Sequence, residues 1–203
     1  MYQLYGDMLS GNCYKIKLIF QFLVIEHEWI HIDILTGETH TEEFVSMNQN
    51  AKIPLLKISK NEYLSESNAI LNYLAEGSSF LPESSLDRAK VLQWQFFEQY
   101  SHEPYIAVAR YINKYLGLPS ERLAEYNSKQ EGGYKALSVM ERQLSITPFL
   151  VGQNPTIADL SLYAYTHVAN EGGFDLNKYQ GIKKWMAKIE SMPNYVAMSL
   201  DNG

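Results

Sequence analysis

Two polar residues, Ser10 and Asn12, stand where a predicted helix begins, directly after a short strand-like run. A helix start presents unpaired backbone N–H groups and the positive end of the helix dipole, so it stabilises an anion or a thiolate. A hydroxyl at this place can cap the helix, or it can donate a hydrogen bond to a bound sulfur. The residues alone leave both interpretations of Ser10 open.

Ser10 and Cys13 have the spacing of a C-x-x-C redox pair in which serine replaces the first cysteine. Serine cannot form a disulfide, so disulfide exchange by this pair is disfavoured. Cys13 falls one turn into the helix, where we expect a small buried apolar residue. As the only cysteine in the chain, it excludes an internal disulfide and a multi-cysteine metal site, and it fits a reducing compartment.

A second stretch, Lys52-Ile53-Pro54, opens a predicted strand after a polar loop. A cis peptide bond before Pro54 would present the backbone of Ile53 as an open strand edge, where an extended peptide can pair. A plain edge-strand proline is the alternative interpretation.

A third stretch, 65–70, places a carboxylate and a hydroxyl at another helix start. Glu66 suits a ligand ammonium, and Ser67 with the nearby N–H groups suits a ligand carboxylate. Simple capping by Ser65 or Ser67 is the alternative. A zwitterionic amino-acid group would use both side chains at once.

The elements that position these residues change in character along the chain. Up to about residue 77 the pattern predicts the order β-α-β-α-β-β-α, with strands at 2–5, 29–34, 53–59 and 62–64. The βαβ half should be parallel and the hairpin half antiparallel. Beyond the turn-rich stretch GSSFLPESS only helical periodicity remains. We predict a domain at 1–77, a linker at 78–85 and an all-helical domain at 86–203.

The helical part carries three local signals. A helix capped by Ser84 or Ser85 carries Leu86, Ala89, Leu92 and Phe96 on one face, and Pro104 interrupts or kinks it. The adjacent glycines 132 and 133 should weaken a later helix by about 1 kcal/mol each relative to alanine. Thr156 and Asp159 form a capping box before a helix that is apolar on most sides, which indicates a central, buried helix.

The net charge and the amino-acid composition limit the class of protein. A net charge of -6 argues against nucleic acid as the main partner, and an apolar share of 46 % is ordinary for a globular protein. The sequence has neither the pattern of a signal peptide nor an apolar run long enough for a membrane span. We expect a soluble, cytoplasmic protein.

Taken together, the three stretches suit a thiol, an extended peptide backbone and a zwitterion, which are the parts of glutathione, γ-Glu-Cys-Gly. Here the chain resembles the glutathione S-transferase family, in a bacterial, theta-like form with a serine at the active-site helix start. The segment LYGDMLSGNC is similar to the theta-type opening, NQNAKIPLL to the segment around the family's cis-proline, and SESNAILNYLAEG to the family's E-S-x-A-I helix. The segment PFLVGQNPTIADLSL is similar to the family's folding motif in the helical domain.

The resemblance implies a thioredoxin-like domain followed by an all-helical one, and a glutathione site in the first. Ser10 would hydrogen-bond the glutathione sulfur, with Asn12 assisting and Tyr5 as the alternative donor. The remaining implied contacts to glutathione come from Ile53 beside Pro54 for the cysteinyl backbone, Glu66 and Ser67 for the γ-glutamyl end, and Lys52 and His40 for the glycyl carboxylate.

The resemblance also implies an electrophile pocket between the two domains. Its candidate residues lie before the first long helix and along the stretch 101–111; they are Met8, Leu9, His102, Tyr105, Arg110 and Tyr111. Because aromatic residues at helical spacing also form cores, a packing role is the alternative for these positions.

The function implied is that of a cytoplasmic, homodimeric glutathione transferase acting in detoxification. It would add glutathione, as a thiolate, to an electrophilic small molecule, with no metal, no cofactor beyond the co-substrate glutathione, no nucleic acid and no membrane partner. The alternatives are a non-catalytic binding module with the same fold and a glutathione-dependent peroxidase or reductase.

Overall fold

The structure, a computed structural model, describes residues 1–199, and these divide into two compact units. Met1–Ser78 and residues 193–199 form the first unit, and Ser79–Met192 form the second. Residues 193–199 therefore group with the first unit, whereas the sequence analysis assigned them to the helical domain. One contact within this unit is a hydrogen bond of 2.7 Å from the Tyr14 hydroxyl to the carbonyl of Val196.

The first unit has the predicted order β-α-β-α-β-β-α. Its strands are β1 (Tyr2–Gly6), β2 (His27–His31), β3 (Leu55–Ser59) and β4 (Glu62–Ser65). Its helices are α1 (Gly11–Phe22), α2 (Glu42–Met47) and α3 (Ser67–Ala75). The strands form one sheet in the order β2-β1-β3-β4, in which β1 runs parallel to β2 and antiparallel to β3, and β3 runs antiparallel to β4. The predicted fold class and the parallel and antiparallel halves are confirmed.

Side chains alternate along a strand, so each strand directs side chains to both faces of the sheet, and a helix packs on each face. On one face the ring of Tyr2 in β1 stacks on Phe20 of α1, with ring centroids 6.2 Å apart. On the other face Phe44 of α2 packs with Leu55 of β3, and Tyr5 lies against this cluster. Helix α1 thus lies on one side of β1 and helix α2 on the other.

The second strand differs from its predicted bounds of 29–34. It begins at His27, which pairs with Tyr2, and it ends at His31. The chain leaves the sheet because Asp33 turns it: the N–H of Leu35 donates to Asp33 Oδ1 at 2.8 Å, and the N–H of Asp33 donates to Glu38 Oε2 at 2.8 Å. The alternation of apolar and polar residues continues through this turn, so a prediction based on alternation extends the strand too far.

The second unit is helical. Its helices are α4 (Ser85–Phe97), α5 (Glu103–Arg110), α6 (Leu123–Leu144), α7 (Ile157–Thr166) and α8 (Gln180–Glu190). Two π-helical turns, Glu98–His102 and Tyr111–Tyr115, flank α5, and Pro104 is the second residue of that helix. Among residues 1–199, no helix combines the length and the apolar character that crossing a membrane requires.

Helix α7 is the centre of the second unit, as predicted, since all ten of its residues are buried. The predicted capping box is present: the N–H of Thr156 donates to Asp159 Oδ2 at 2.8 Å, and Thr156 Oγ1 accepts from the N–H of Ala158 at 3.3 Å. Asp159 Oδ1 also accepts from the N–H of Leu150 at 2.9 Å and from Trp185 Nε1 at 2.8 Å. One carboxylate therefore joins α7, the preceding loop and α8.

The apolar face predicted for α4 does not face the core of this unit. Leu86, Leu92 and Phe96 are 65 %, 44 % and 61 % exposed. The opposite face is buried instead, through Val91 and Gln95. Polar residues lie inside because they find partners there; for example, Gln95 Nε2 donates to Ser161 Oγ in α7 at 3.5 Å.

The glycine pair of α6 serves close packing. A Cβ atom at Gly132 would overlap the ring of Tyr105, and one at Gly133 would overlap the ring of Phe174. The sequence predicts only a weakened helix at both glycines, because the neighbours that approach them are distant in sequence.

Candidate functional site

The sheet register gathers the three chemically interesting stretches at one end of the first unit. Leu55, the first residue of β3, pairs with Tyr5 on one side and with Ser65 on the other. The loop that leads from β1 to Ser10, the residue Pro54 before β3, and the turn that follows Ser65 therefore lie at the same end of the sheet. The long-range pairing positions residues that are more than 50 places apart in the sequence.

Ser10 is the N-cap of α1, with φ -71° and ψ 123°. Its Oγ accepts a hydrogen bond from the N–H of Cys13 at 3.4 Å, which is long for an N–H···O bond. Asp7 shapes the loop before it, because Asp7 Oδ1 accepts from the N–H of Leu9 at 2.8 Å and its carbonyl accepts from the N–H of Ser10 at 3.1 Å. Capping uses the oxygen of the Ser10 hydroxyl as an acceptor, so donation of its hydrogen to a sulfur is compatible with capping.

Cys13 is a buried apolar residue, as predicted. Its side chain is 0 % exposed, and burial raises the pKa of its thiol to about 12. Gly6 permits this packing, since a Cβ there would lie 2.7 Å from Cys13 Sγ. The thiol is protonated at neutral pH and is no nucleophile.

Asn12 and Ser67 meet in the structure although they are 55 positions apart. The hydroxyl of Ser67 donates to Asn12 Oδ1 at 3.2 Å. Asn12 belongs to the first turn of α1, and Ser67 is the first residue of α3. The two helix starts that the sequence analysis singled out are thus in direct contact.

Lys15 is part of the same cluster, and it is not among the site residues predicted from the sequence. Its side chain is 0 % exposed, and its Nζ donates to Asn12 Oδ1 at 2.8 Å and to Ser67 Oγ at 3.2 Å. The signal in the sequence was a lysine between Tyr14 and Ile16, within a helix whose other residues are largely apolar. A search for periodic apolar residues does not register a buried lysine, because lysine counts as a polar residue.

Glu66 is the N-cap of α3, which corrects the alternative that Ser65 or Ser67 caps this helix. Its φ of 68° and ψ of 111° are unusual for a residue with a Cβ, and it makes no side-chain capping bond. Its side chain is exposed, whereas Ser67 is 6 % exposed. Strained backbone of this kind is typical of binding sites. The carboxylate of Glu66 is available to a ligand from solvent.

The Ile53–Pro54 peptide bond is cis, which is the interpretation that the family resemblance implied and not that of a plain edge-strand proline. Ile53 is half-buried and packs against the cluster of Phe44 and Leu55. The side chain of Lys52 is exposed, and its carbonyl accepts from Asn48 Nδ2 at 2.8 Å. Pairing of a ligand backbone with Ile53 stays a prediction.

The other candidates of the first unit lie in different surroundings. Tyr5, the alternative sulfur donor, faces the α2 side, where it lines a cavity of about 270 Å³ with Ile30 and Phe44. Burial raises the pKa of the Tyr5 phenol. Met8 is buried and Leu9 half-buried, and His40 is exposed on the turn Glu38–His40.

The candidates of the second unit are largely engaged inside it. His102 is 0 % exposed and its Nε2 lies 2.9 Å from Thr166 Oγ1; Arg110 is 2 % exposed and its Nε donates to Glu171 Oε2 at 2.7 Å. Tyr111 is half-buried, and Tyr105 lines a cavity of about 140 Å³ within this unit. Packing explains His102 and Arg110, and a substrate role for these four residues stays a prediction.

Comparison with known proteins agrees with this architecture along most of the chain. The family model described as "Glutathione S-transferase, N-terminal domain" matches residues 2–76, and the corresponding C-terminal domain model matches residues 94–193. A crystal structure of a glutathione S-transferase from Pseudomonas fluorescens is 60 % identical, with a TM-score of 0.96, over 98 % of this chain and 99 % of that one. The chain belongs to the glutathione S-transferase family.

Two further proteins are similar to this chain at lower identity. A structure of a possible glutathione transferase from Rhodopseudomonas palustris is 38 % identical, with a TM-score of 0.96, over 100 % of this chain and 91 % of that one. A protein named disulfide-bond oxidoreductase YfcG from Escherichia coli is 29 % identical over 91 % of this chain and 88 % of its own length. The glutathione transferase fold is therefore shown, while the theta-like role of Ser10 stays a prediction.

Proposed function

We propose that this chain is a glutathione transferase that binds glutathione, activates it as a thiolate and adds it to an electrophilic small molecule. The observation that carries the proposal is the hydrogen bond of 3.2 Å between Ser67 and Asn12. It joins a helix start suited to a thiolate to a helix start suited to a zwitterion. One small ligand with both groups can then reach both helix starts.

The sulfur would lie beside the Ser10 hydroxyl, at the positive end of the α1 dipole. A free thiol has a pKa near 8.5, so useful ionisation at neutral pH needs a reduction of about one to two units, or about 1.4–2.7 kcal/mol. A hydrogen bond to a charged acceptor contributes about 1.5–3 kcal/mol, so one hydroxyl together with the helix start is sufficient. Asn12 is the assisting residue in this proposal.

The rest of the tripeptide would use the remaining stretches. Glu66 would bind the ammonium group and Ser67 the carboxylate of the γ-glutamyl end, because their charges and donors are complementary to a zwitterion. The backbone of Ile53 would pair with the cysteinyl residue. Lys52 and His40, both exposed, would face the glycyl carboxylate.

With an aryl halide as the electrophile, the thiolate sulfur would attack the carbon that bears the halogen. A carbon–sulfur bond forms, the carbon–halogen bond breaks, and the halide leaves with the electron pair. The thiol proton goes to solvent when glutathione ionises. The proposal needs no metal and no cofactor other than glutathione as co-substrate.

The proposal includes a homodimer that acts in the cytoplasm in detoxification. Three exposed apolar side chains of α4, Leu86, Leu92 and Phe96, support self-association, because a second copy that covered them would remove apolar surface from water. The buried state of the single cysteine is compatible with a reducing compartment.

Calorimetric titration with glutathione, followed by turnover of an aryl halide, tests the proposal. We expect saturable binding and release of halide that depends on the enzyme and on glutathione. If glutathione does not bind, the transferase proposal fails and the non-catalytic module remains. Sedimentation of the wild type and of Phe96→Glu tests the dimer, which the charged variant should dissociate.

Reduction of small disulfides is a second candidate, because the relative from Escherichia coli is named a disulfide-bond oxidoreductase. In that reaction the bound thiolate would attack a disulfide sulfur and release the other sulfur as a thiolate. Comparing turnover of a mixed disulfide with turnover of an aryl halide, at one glutathione concentration, separates the two activities.

A further inference from the structure

Lys15 touches both residues that join the two helix starts of the site. We propose that Lys15 is a positioning residue, which holds Asn12 for the bound sulfur and Ser67 for the γ-glutamyl carboxylate, and so couples the two ends of glutathione. The inference rests on the proposed function, since it concerns the same ligand.

Burial is the first support for this role. The Lys15 side chain is 0 % exposed, and taking an ammonium group out of water costs several kcal/mol unless hydrogen bonds replace the lost hydration. Its Nζ makes such bonds with Asn12 Oδ1 at 2.8 Å and with Ser67 Oγ at 3.2 Å. An apolar side chain would fill the same space without the desolvation cost. Packing alone therefore does not explain a lysine here.

The second support is that Lys15 determines the orientation of Asn12. An ammonium group has donors but no acceptor, so the Asn12 atom that faces Nζ must be the carboxamide oxygen. The amide nitrogen, with its two N–H donors, then lies on the side of the carboxamide away from Lys15. A donor is what a thiolate needs, and rotation of Asn12 would present an oxygen instead.

The third support concerns the hydroxyl of Ser67. This oxygen accepts from Lys15 Nζ, so its own hydrogen is left for donation, and in this structure it goes to Asn12 Oδ1. A ligand carboxylate can take over that hydrogen while Lys15 keeps its bond to Asn12. Binding at one end of the ligand thereby acts on the residue at the other end.

Replacement of Lys15 should consequently change two properties at once. In Lys15→Met we expect glutathione to bind about 10-fold more weakly or worse, the loss typical of a hydrogen bond to a charged group. We also expect the pKa of the bound thiol to rise, because Asn12 is no longer held. Calorimetry gives the dissociation constant, and the ultraviolet absorbance of the thiolate against pH gives the pKa.

Lys17→Met is the matched control, because Lys17 is the other buried lysine of α1, with 6 % exposure. Residues two positions apart point to different sides of a helix, so this variant should leave both readouts near wild type. Lys15→Gln, which keeps a neutral donor, replaces Lys15→Met if the latter does not fold, as judged from thermal unfolding.

A double-mutant cycle separates positioning from simple destabilisation. If Lys15 acts through Ser67, the Lys15→Met and Ser67→Ala effects on glutathione binding should combine to clearly less than the product of the single effects. Independent, multiplicative effects would overturn the inference, and so would a Lys15→Met variant that binds glutathione like the wild type with an unchanged thiol pKa. A wild-type protein that binds no glutathione would instead overturn the proposed function.

Discussion

Replacing Ser10 by alanine separates its two roles, because the chain contains a second serine with the same local geometry. Ser84 caps α4 with φ -60° and ψ 124°, and its Oγ accepts from the N–H of Asp87 at 3.4 Å. Ser10 caps α1 with φ -71° and ψ 123°, also through a bond of 3.4 Å. Both serines cap a helix, but only Ser10 is expected to contact a bound sulfur. Ser84→Ala therefore serves as the control for the loss of a cap.

The magnitudes of the two roles differ. Loss of a long capping bond should cost about 0.5–1 kcal/mol of unfolding free energy in either variant. Loss of a donor to a thiolate should cost about 1.5–3 kcal/mol, which lowers kcat/KM by about 10- to 100-fold. We therefore expect similar destabilisation in Ser10→Ala and Ser84→Ala, but a large loss of turnover only in Ser10→Ala.

Denaturant unfolding of both variants measures the first quantity, and steady-state turnover of an aryl halide measures the second. Titration of the bound thiol should show a higher pKa in Ser10→Ala, while the dissociation constant of glutathione changes far less. Equal turnover in the wild type and Ser10→Ala, with the capping loss present in both variants, would refute the sulfur role. The thiolate donor would then be sought in Asn12 or Tyr5.

Three further predictions concern other parts of the chain. Glu66→Gln removes the charge for the ligand ammonium, so calorimetry should show about 10-fold weaker glutathione binding. Gly133→Ala pushes a methyl group into the ring of Phe174, so denaturant unfolding should show a loss of about 1–3 kcal/mol despite the better helix propensity of alanine. Burial lowers the pKa of His167 to about 4 from 6.5. The imidazole therefore binds a proton more tightly in the unfolded chain than in the folded one. The unfolding free energy should fall by about 3 kcal/mol between pH 7 and pH 4, measured by denaturant unfolding at each pH.

Each of these predictions has a control. Glu62→Gln, an exposed residue of β4, should leave glutathione binding unchanged, and an unaltered dissociation constant in Glu66→Gln would reject the role of that carboxylate. A Gly133→Ala protein as stable as the wild type would show that Phe174 can move aside. The loss of stability with falling pH should be shallower in His167→Gln, and an identical pH profile would assign it to other groups.

The fold was predictable because local patterns and long-range pairing agree in the first unit. The start of α1 carries its capping residue Ser10, the start of α2 carries its capping residue Thr41, and Pro54 directly precedes β3. The order β-α-β-α-β-β-α follows from such local signals. The bounds of β2 were less predictable, because the turn at Asp33 depends on a side chain of Glu38 that alternation does not register.

Features that depend on distant neighbours could not be read from the sequence. The exposed face of α4 is as apolar as a core-facing stripe, and only the burial of Val91 and the bond from Gln95 to Ser161 reveal which side of the helix is inside. The contact of Lys15 with Ser67 joins α1 to α3, so a pattern within α1 does not disclose it. Single stretches suggested the individual chemical groups, but their proximity needed coordinates.

The enclosure of Cys13 has a practical consequence. A thiol that is 0 % exposed, with a pKa of about 12, reacts with alkylating reagents only when the surrounding strand and helix separate. The chain contains no second cysteine to compete for the label. The rate at which a thiol reagent modifies the native protein therefore reports, at one known position beneath Gly6, how often the first unit opens. Ligands that tighten this unit should slow the labelling in proportion to the opening they suppress.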